Sequence, residues 1–194
     1  MANLFGPFIG NTHSESSVTG RSMTRAYNEA RRLIKAHVNA SPDDVIVTAG
    51  SGMTRVVNKL QRILGLRVPE RLKGSISLSD GDRPVVFVTH MEHHSNHTSW
   101  LETIADVVVI PPGREGLVDP QHLVDVLARY EDRPLKLGAF TACSNVTGIG
   151  TPYHELAAIM HRHGGICFVD FAASAPYSAI DMHPQDPDQK LDAV

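Results

Sequence analysis

The feature that most constrains the fold is an alternation running through the second half of the chain. Short apolar runs recur at Val85–Thr89, Asp106–Ile110, Leu135–Ala142 and Ile166–Phe171. Between them, Asn96–Ile104, Pro120–Tyr130 and Pro152–His163 carry helical periodicity. Runs this apolar are strands buried on both faces, and intervening segments of about ten residues suit crossover helices. The pattern predicts an α/β fold with a mainly parallel sheet and helices on both faces.

The first half is compatible with that layout. Ala26, Ala30, Leu33, Ile34, Ala36 and Val38 recur among Arg25, Arg31, Arg32 and Lys35, which predicts an amphipathic helix over Ser22–Asn39. Ser41-Pro42-Asp43-Asp44 breaks it, and Val45–Thr48 then reads as a short buried strand. Val56, Val57, Leu60, Ile63 and Leu64 place a second helix over Met53–Leu64, whereas Arg67–Arg83 is polar, lacks clear periodicity and reads as a loop. We divide the chain into an N-terminal extended segment, residues 1–20, and an α/β domain over residues 21–194.

Composition removes several function classes. Eighteen Lys and Arg against 21 Asp and Glu give a net charge of −3, so there is no excess positive charge for general nucleic-acid binding. No apolar stretch approaches the roughly 18 residues that span a bilayer. Met1–Gly10 lacks a basic start, and Gly6 and Pro7 interrupt its apolar residues, so it does not read as a signal peptide. Cys143 and Cys167 cannot build a disulfide framework and lie in apolar strand-like runs. They read as reduced, buried thiols of a cytoplasmic protein.

In open α/β sheets, ligands bind beyond the carboxyl ends of the strands. Four segments stand there. Gly50-Ser51-Gly52 turns from a strand into a helix, leaving amide N–H groups free for an anion, with Ser51 and Thr54 as hydroxyl donors. His90-Met91-Glu92-His93-His94-Ser95-Asn96-His97 concentrates four of the eleven histidines, and on one helical face these would form a zinc site. Alternatively they are plain loop histidines, or present an imidazole to a ligand. Ser144-Asn145-Val146-Thr147-Gly148 is a turn with an amide side chain. Asp170 ends an apolar strand, so its carboxylate must either pair with a cation or cap a turn.

The ordered motifs GSGMT with Asn58, EHHSN with Trp100, SNVTG and VDFAA resemble the class V aminotransferases, the pyridoxal 5′-phosphate (PLP) group that includes cysteine desulfurases and selenocysteine lyases. The resemblance runs from Asn11 to Val194 and implies the large domain of the fold type I PLP-dependent transferases. It implies that Gly52, Met53 and Thr54 cradle the cofactor phosphate. His93 would stack on the pyridine ring as the catalytic imidazole, Asn145 would lie near the phenolic oxygen, and Asp170 would pair with the pyridinium nitrogen. Met53 replaces the family's usual threonine, and Ala173 stands where desulfurases carry a glutamine. None of Lys35, Lys59, Lys73, Lys136 and Lys190 sits in the family's Ser-x-His-Lys context. The resemblance places that Schiff-base lysine about eight residues past Val194, judged from the short spacing of such strand–turn units. It therefore implies the central part of a larger, homodimeric enzyme acting on a small amino acid, inactive as this piece. A non-catalytic binding module that lost its lysine, and a zinc protein built on His90–His97, are the alternatives.

Overall fold

The computed structural model describes residues 2–50 and 52–194, which fall into two compact units, Met1–Ile46 and Val47–Val194. In the first unit a single helical turn, α1 (Ala2–Phe5), leads into a 3-10 turn at Gly6–Phe8 and then into the long helix α2 (Val18–His37). Residues 2–20 thus include helical turns as well as extended chain. Helix α2 begins ahead of Ser22 because Ser17 caps it, its hydroxyl accepting from the Gly20 amide at 3.0 Å. Gly20 is the buried residue of α2, and a Cβ there would come within 2.6 Å of the Ser14 carbonyl.

The second unit contains α3 (Met53–Ile63), β1 (Val85–Val88), α4 (His94–Leu101), β2 (Asp106–Val109), α5 (Pro120–Leu127), β3 (Lys136–Thr141), α6 (Tyr153–Arg162) and β4 (Ile166–Asp170). Among the described residues these four strands form one sheet in the order β2-β1-β3-β4, with every pair parallel. Past β4, Ala193 makes a parallel bridge to Phe168, with the Val169 amide donating to the Ala193 carbonyl at 3.0 Å.

Side chains of alternating residues cover both faces, as the apolar runs predict. Val86, Val88, Leu137 and Ala139 pack with Val57 of α3 and Trp100 of α4. On the opposite face Phe87 meets the Tyr130 ring edge-on at 5.7 Å. There Gly138 lets α6 approach: a Cβ on it would lie 2.5 Å from the Phe140 ring and 3.0 Å from Met160.

Val45–Thr48 is not a strand. Val45 is 78% exposed, and among the described residues no neighbouring strand pairs with it. Its flanking carbonyls go to lysines instead: Lys35 Nζ donates to Asp44 within the first unit, and Lys59 Nζ donates to Thr48 within the second. Among the described residues no helix is long and apolar enough to cross a membrane.

Candidate functional site

The carboxyl ends of β1, β3 and β4 and the start of α3 enclose a cleft of about 310 Å³. Met53, Thr54, His93, Asn145 and Asp170 all line it. Gly52, at the N-cap of α3, has φ +79° and offers no side chain to the first turn. The leading amides of α3 are therefore left without a side-chain cap, and a Cβ at Gly52 would force the left-handed backbone into strain. Ser51, expected as a hydroxyl donor, lies outside the described residues.

His93 is the N-cap of α4. The Ser95 amide donates to its Nδ1 at 3.2 Å, and the Ser95 hydroxyl lies 2.8 Å from the same nitrogen. An N–H aimed at Nδ1 requires a lone pair there, which assigns the proton of the neutral ring to Nε2. Asp170 is 5% exposed, and its Oδ1 accepts from the Ala172 amide at 2.8 Å. Burial pushes its carboxyl up from the ordinary value, while the Ala172 amide and His93 pull it down. Asn145 projects from a turn in which the Ser144 hydroxyl accepts from the amides of Val146 and Thr147, each at 3.3 Å. The arrangement thus brings together the N-terminus of α3, whose N-cap has no side chain, an imidazole along the side and a buried carboxylate at the carboxyl end of β4.

The aminotransferase class-V family model matches residues 1–189. The chain belongs to that family. Curated relatives of this class V protein include a probable cysteine desulfurase from Halalkalibacterium halodurans, 30% identical over 90% of the chain and 40% of the relative. Another, from Staphylococcus epidermidis, is 31% identical over 93% of the chain and 41% of the relative. The chain therefore spans about two fifths of the length of these relatives. Among solved structures, the cysteine desulfurase CsdA from Escherichia coli matches with a TM-score of 0.65 at 24% identity, covering 90% of this chain and 41% of that one. A NifS-like protein from Rickettsia africae gives 0.69 at 20% identity, over 97% and 47%. These neighbours establish the fold as the fold type I PLP-dependent transferase large domain.

The histidine-rich segment of this class V chain is divided between a turn and a helix. His90 precedes α4, and its Nε2 lies 2.8 Å from the Gly116 carbonyl, while His93 caps the helix. The four histidines therefore do not share one helical face. Among the described residues no group of three or more His, Cys, Asp or Glu is placed to hold a metal ion. Among the described residues no lysine lines the cleft. Lys136, for example, is 7% exposed and spends its ammonium on the carbonyls of Glu131 and Arg133.

Cys143 also departs from the sequence reading. It lies past the end of β3, half-buried, and lines the cleft, whereas Cys167 is fully buried within β4. A second participant, Glu92, is missed by sequence reasoning altogether. Its Oε1 accepts from the Thr89 hydroxyl at 2.6 Å and the Thr141 amide at 2.8 Å, and its Oε2 accepts from the Asn96 amide group at 2.8 Å. Its position between a strand end and a helix N-cap favours negative charge but does not name its partners.

Proposed function

We propose that the cleft binds PLP and that the complete protein is a cysteine desulfurase-like or aminotransferase-like enzyme acting on a small amino acid. One observation carries the reading. Asp170 is a buried carboxylate facing a cleft, and among the described residues no Lys or Arg forms an ion pair with it. A buried carboxylate held only by the Ala172 amide, with His93 nearby, is costly, and a cationic ring nitrogen would offset that cost. The donor set fits the rest of the cofactor: Gly52, Met53 and Thr54 at the uncapped start of α3 suit its phosphate, His93 suits the ring face, and Asn145 suits the phenolic oxygen. Bound PLP supplies an electron sink for negative charge at a substrate carbon. Asp170 would keep the ring nitrogen protonated, and His93, bearing its proton on Nε2, would hold or pass a proton beside the ring. Support for a cysteine-like substrate comes from the names of the curated relatives and from SspA, a protein of the same fold solved in complex with cysteine. A homodimer in the cytoplasm completes the proposal.

Asp170→Ala tests it. Loss of a charge-assisted contact worth about 1.5–3 kcal/mol should weaken PLP binding about tenfold or more, read by absorbance titration, with a smaller change in the thermal melt. Lost stability with unaltered PLP affinity would falsify the cofactor role. The second reading is a binding module without covalent chemistry. Borohydride reduction followed by mass spectrometry should leave this chain without a pyridoxyl adduct, and a stoichiometric adduct on one lysine would contradict that expectation.

A further inference from the structure

We propose that Glu92 is the positioning residue of the cleft, fixing the His93 imidazole relative to the ends of β3 and β4; this extends the cofactor reading above.

Every partner of Glu92 is a donor. The Thr89 amide and hydroxyl, the Thr141 amide and the Asn96 side chain all give protons to it, at 3.2, 2.6, 2.8 and 2.8 Å. The direction of each is set by its surroundings. The Thr89 hydroxyl accepts from the Met91 amide at 3.1 Å, so its own proton goes to Glu92. The Trp100 indole N–H donates to Asn96 Oδ1 at 3.3 Å, which turns the amide nitrogen of Asn96 toward Glu92 and the Ala139 carbonyl. Surrounded by these donors, both carboxyl oxygens of Glu92 act as acceptors.

The placement of these donors gives the carboxylate its role. Thr89 lies just upstream of His93 and Asn96 just downstream, so Glu92 pins both ends of the turn from which the imidazole projects. Thr141 lies on a different strand, 49 residues away, and stands opposite Asp170 in the β3–β4 register. One side chain thereby ties the imidazole-bearing turn to the strand end beside the cleft carboxylate. A buried carboxyl without a cation is a poor route to stability, and an apolar residue would hold these elements together at lower cost. What the carboxyl adds is a fixed geometry among three separated pieces of chain.

The test uses the whole chain labelled with ¹⁵N-histidine and needs no ligand. Ring-nitrogen NMR, with the His93 signals assigned from His93→Gln, should show the Nε2–H tautomer dominant in the native sequence. Glu92→Gln, which sets a donor against Asn96, should shift His93 toward a mixture of tautomers. Thr89→Val, which removes the hydroxyl, should do so to a smaller degree. PLP titrations followed by induced circular dichroism should show affinity falling about tenfold in Glu92→Gln. A lower melting temperature with unchanged His93 ring signals would overturn the proposal, leaving Glu92 a structural group. If Glu92→Gln fails to fold, Thr89→Val decides by the same signals: movement supports positioning and its absence refutes it. If the native chain shows no induced dichroism with PLP, the cofactor reading fails, while the ligand-free His93 signals still decide the role of Glu92.

Discussion

Burial holds the Glu92 carboxyl up at about 7 against an ordinary value of 4.5, even though the Thr89, Asn96 and Thr141 donors pull it down. Because the folded value lies above the unfolded one, the unfolded chain releases this proton first as pH rises. Stability from this group is therefore fully present below about pH 4.5 and is lost on the way to pH 7, by about 3 kcal/mol in total. Glu92→Gln should flatten that part of the pH dependence, measured by denaturant titration at pH 5 and pH 8; equal slopes in the two proteins would contradict it. The thiols offer a second test at this scale. Burial, with Asp192 nearby, pushes the Cys167 thiol well above the ordinary range, whereas Cys143 opens onto the cleft. One equivalent of an alkylating reagent should attach to Cys143 in the folded chain, PLP should slow it, and Cys167 should react only on unfolding. Peptide mapping by mass spectrometry reads both sites.

The sheet elements were legible in the sequence because their side chains are buried on both faces. Val85–Thr89 and Ile166–Phe171 announce β1 and β4 to within a residue, and the helices between them follow from periodicity. Val45–Thr48 has the same composition but sits exposed, since apolar content alone does not supply a neighbouring strand. The strand-end rule picked out the segments that hold His93, Asn145 and Asp170 because β1, β3 and β4 are strands, whereas Met53 follows Val45–Thr48, which is not one; the individual residues came from the family resemblance. Glu92 could not be found this way, because its decisive partner is an amide 49 residues away and every residue has an amide. Packing of α6 on the sheet gives the element-scale prediction. Gly138→Ala places a methyl group against the Phe140 ring and Met160, and should cost about 1–3 kcal/mol in denaturant melts. An unchanged midpoint would show that this interface yields more easily than its distances imply.

At the scale of the molecule, the two units differ in how much they bury. In the first, α2 buries Gly20 while Leu33 and Ile34 are more than half exposed, and Phe5 and Ile9 are exposed as well. Sedimentation should therefore show concentration-dependent association, and a compact monomer at every concentration would count against the homodimer. Limited proteolysis should cut near Val45–Thr48 and leave a fragment beginning close to Val47. The strand order has a consequence for biosynthesis. β1 is the first strand of the sheet to be made, yet its neighbours β2 and β3 both come later in the chain, and β4 later still. Such pairings are non-local and close slowly. On the ribosome, the turn bearing His93 must wait for Thr141 to emerge before Glu92 can anchor it, and for Asp170 before the cleft has its carboxylate. If the proposed cofactor site is right, nascent chains stalled before Asp170 should retain less PLP than those stalled after it, because the carboxylate that would face the ring nitrogen is then still missing.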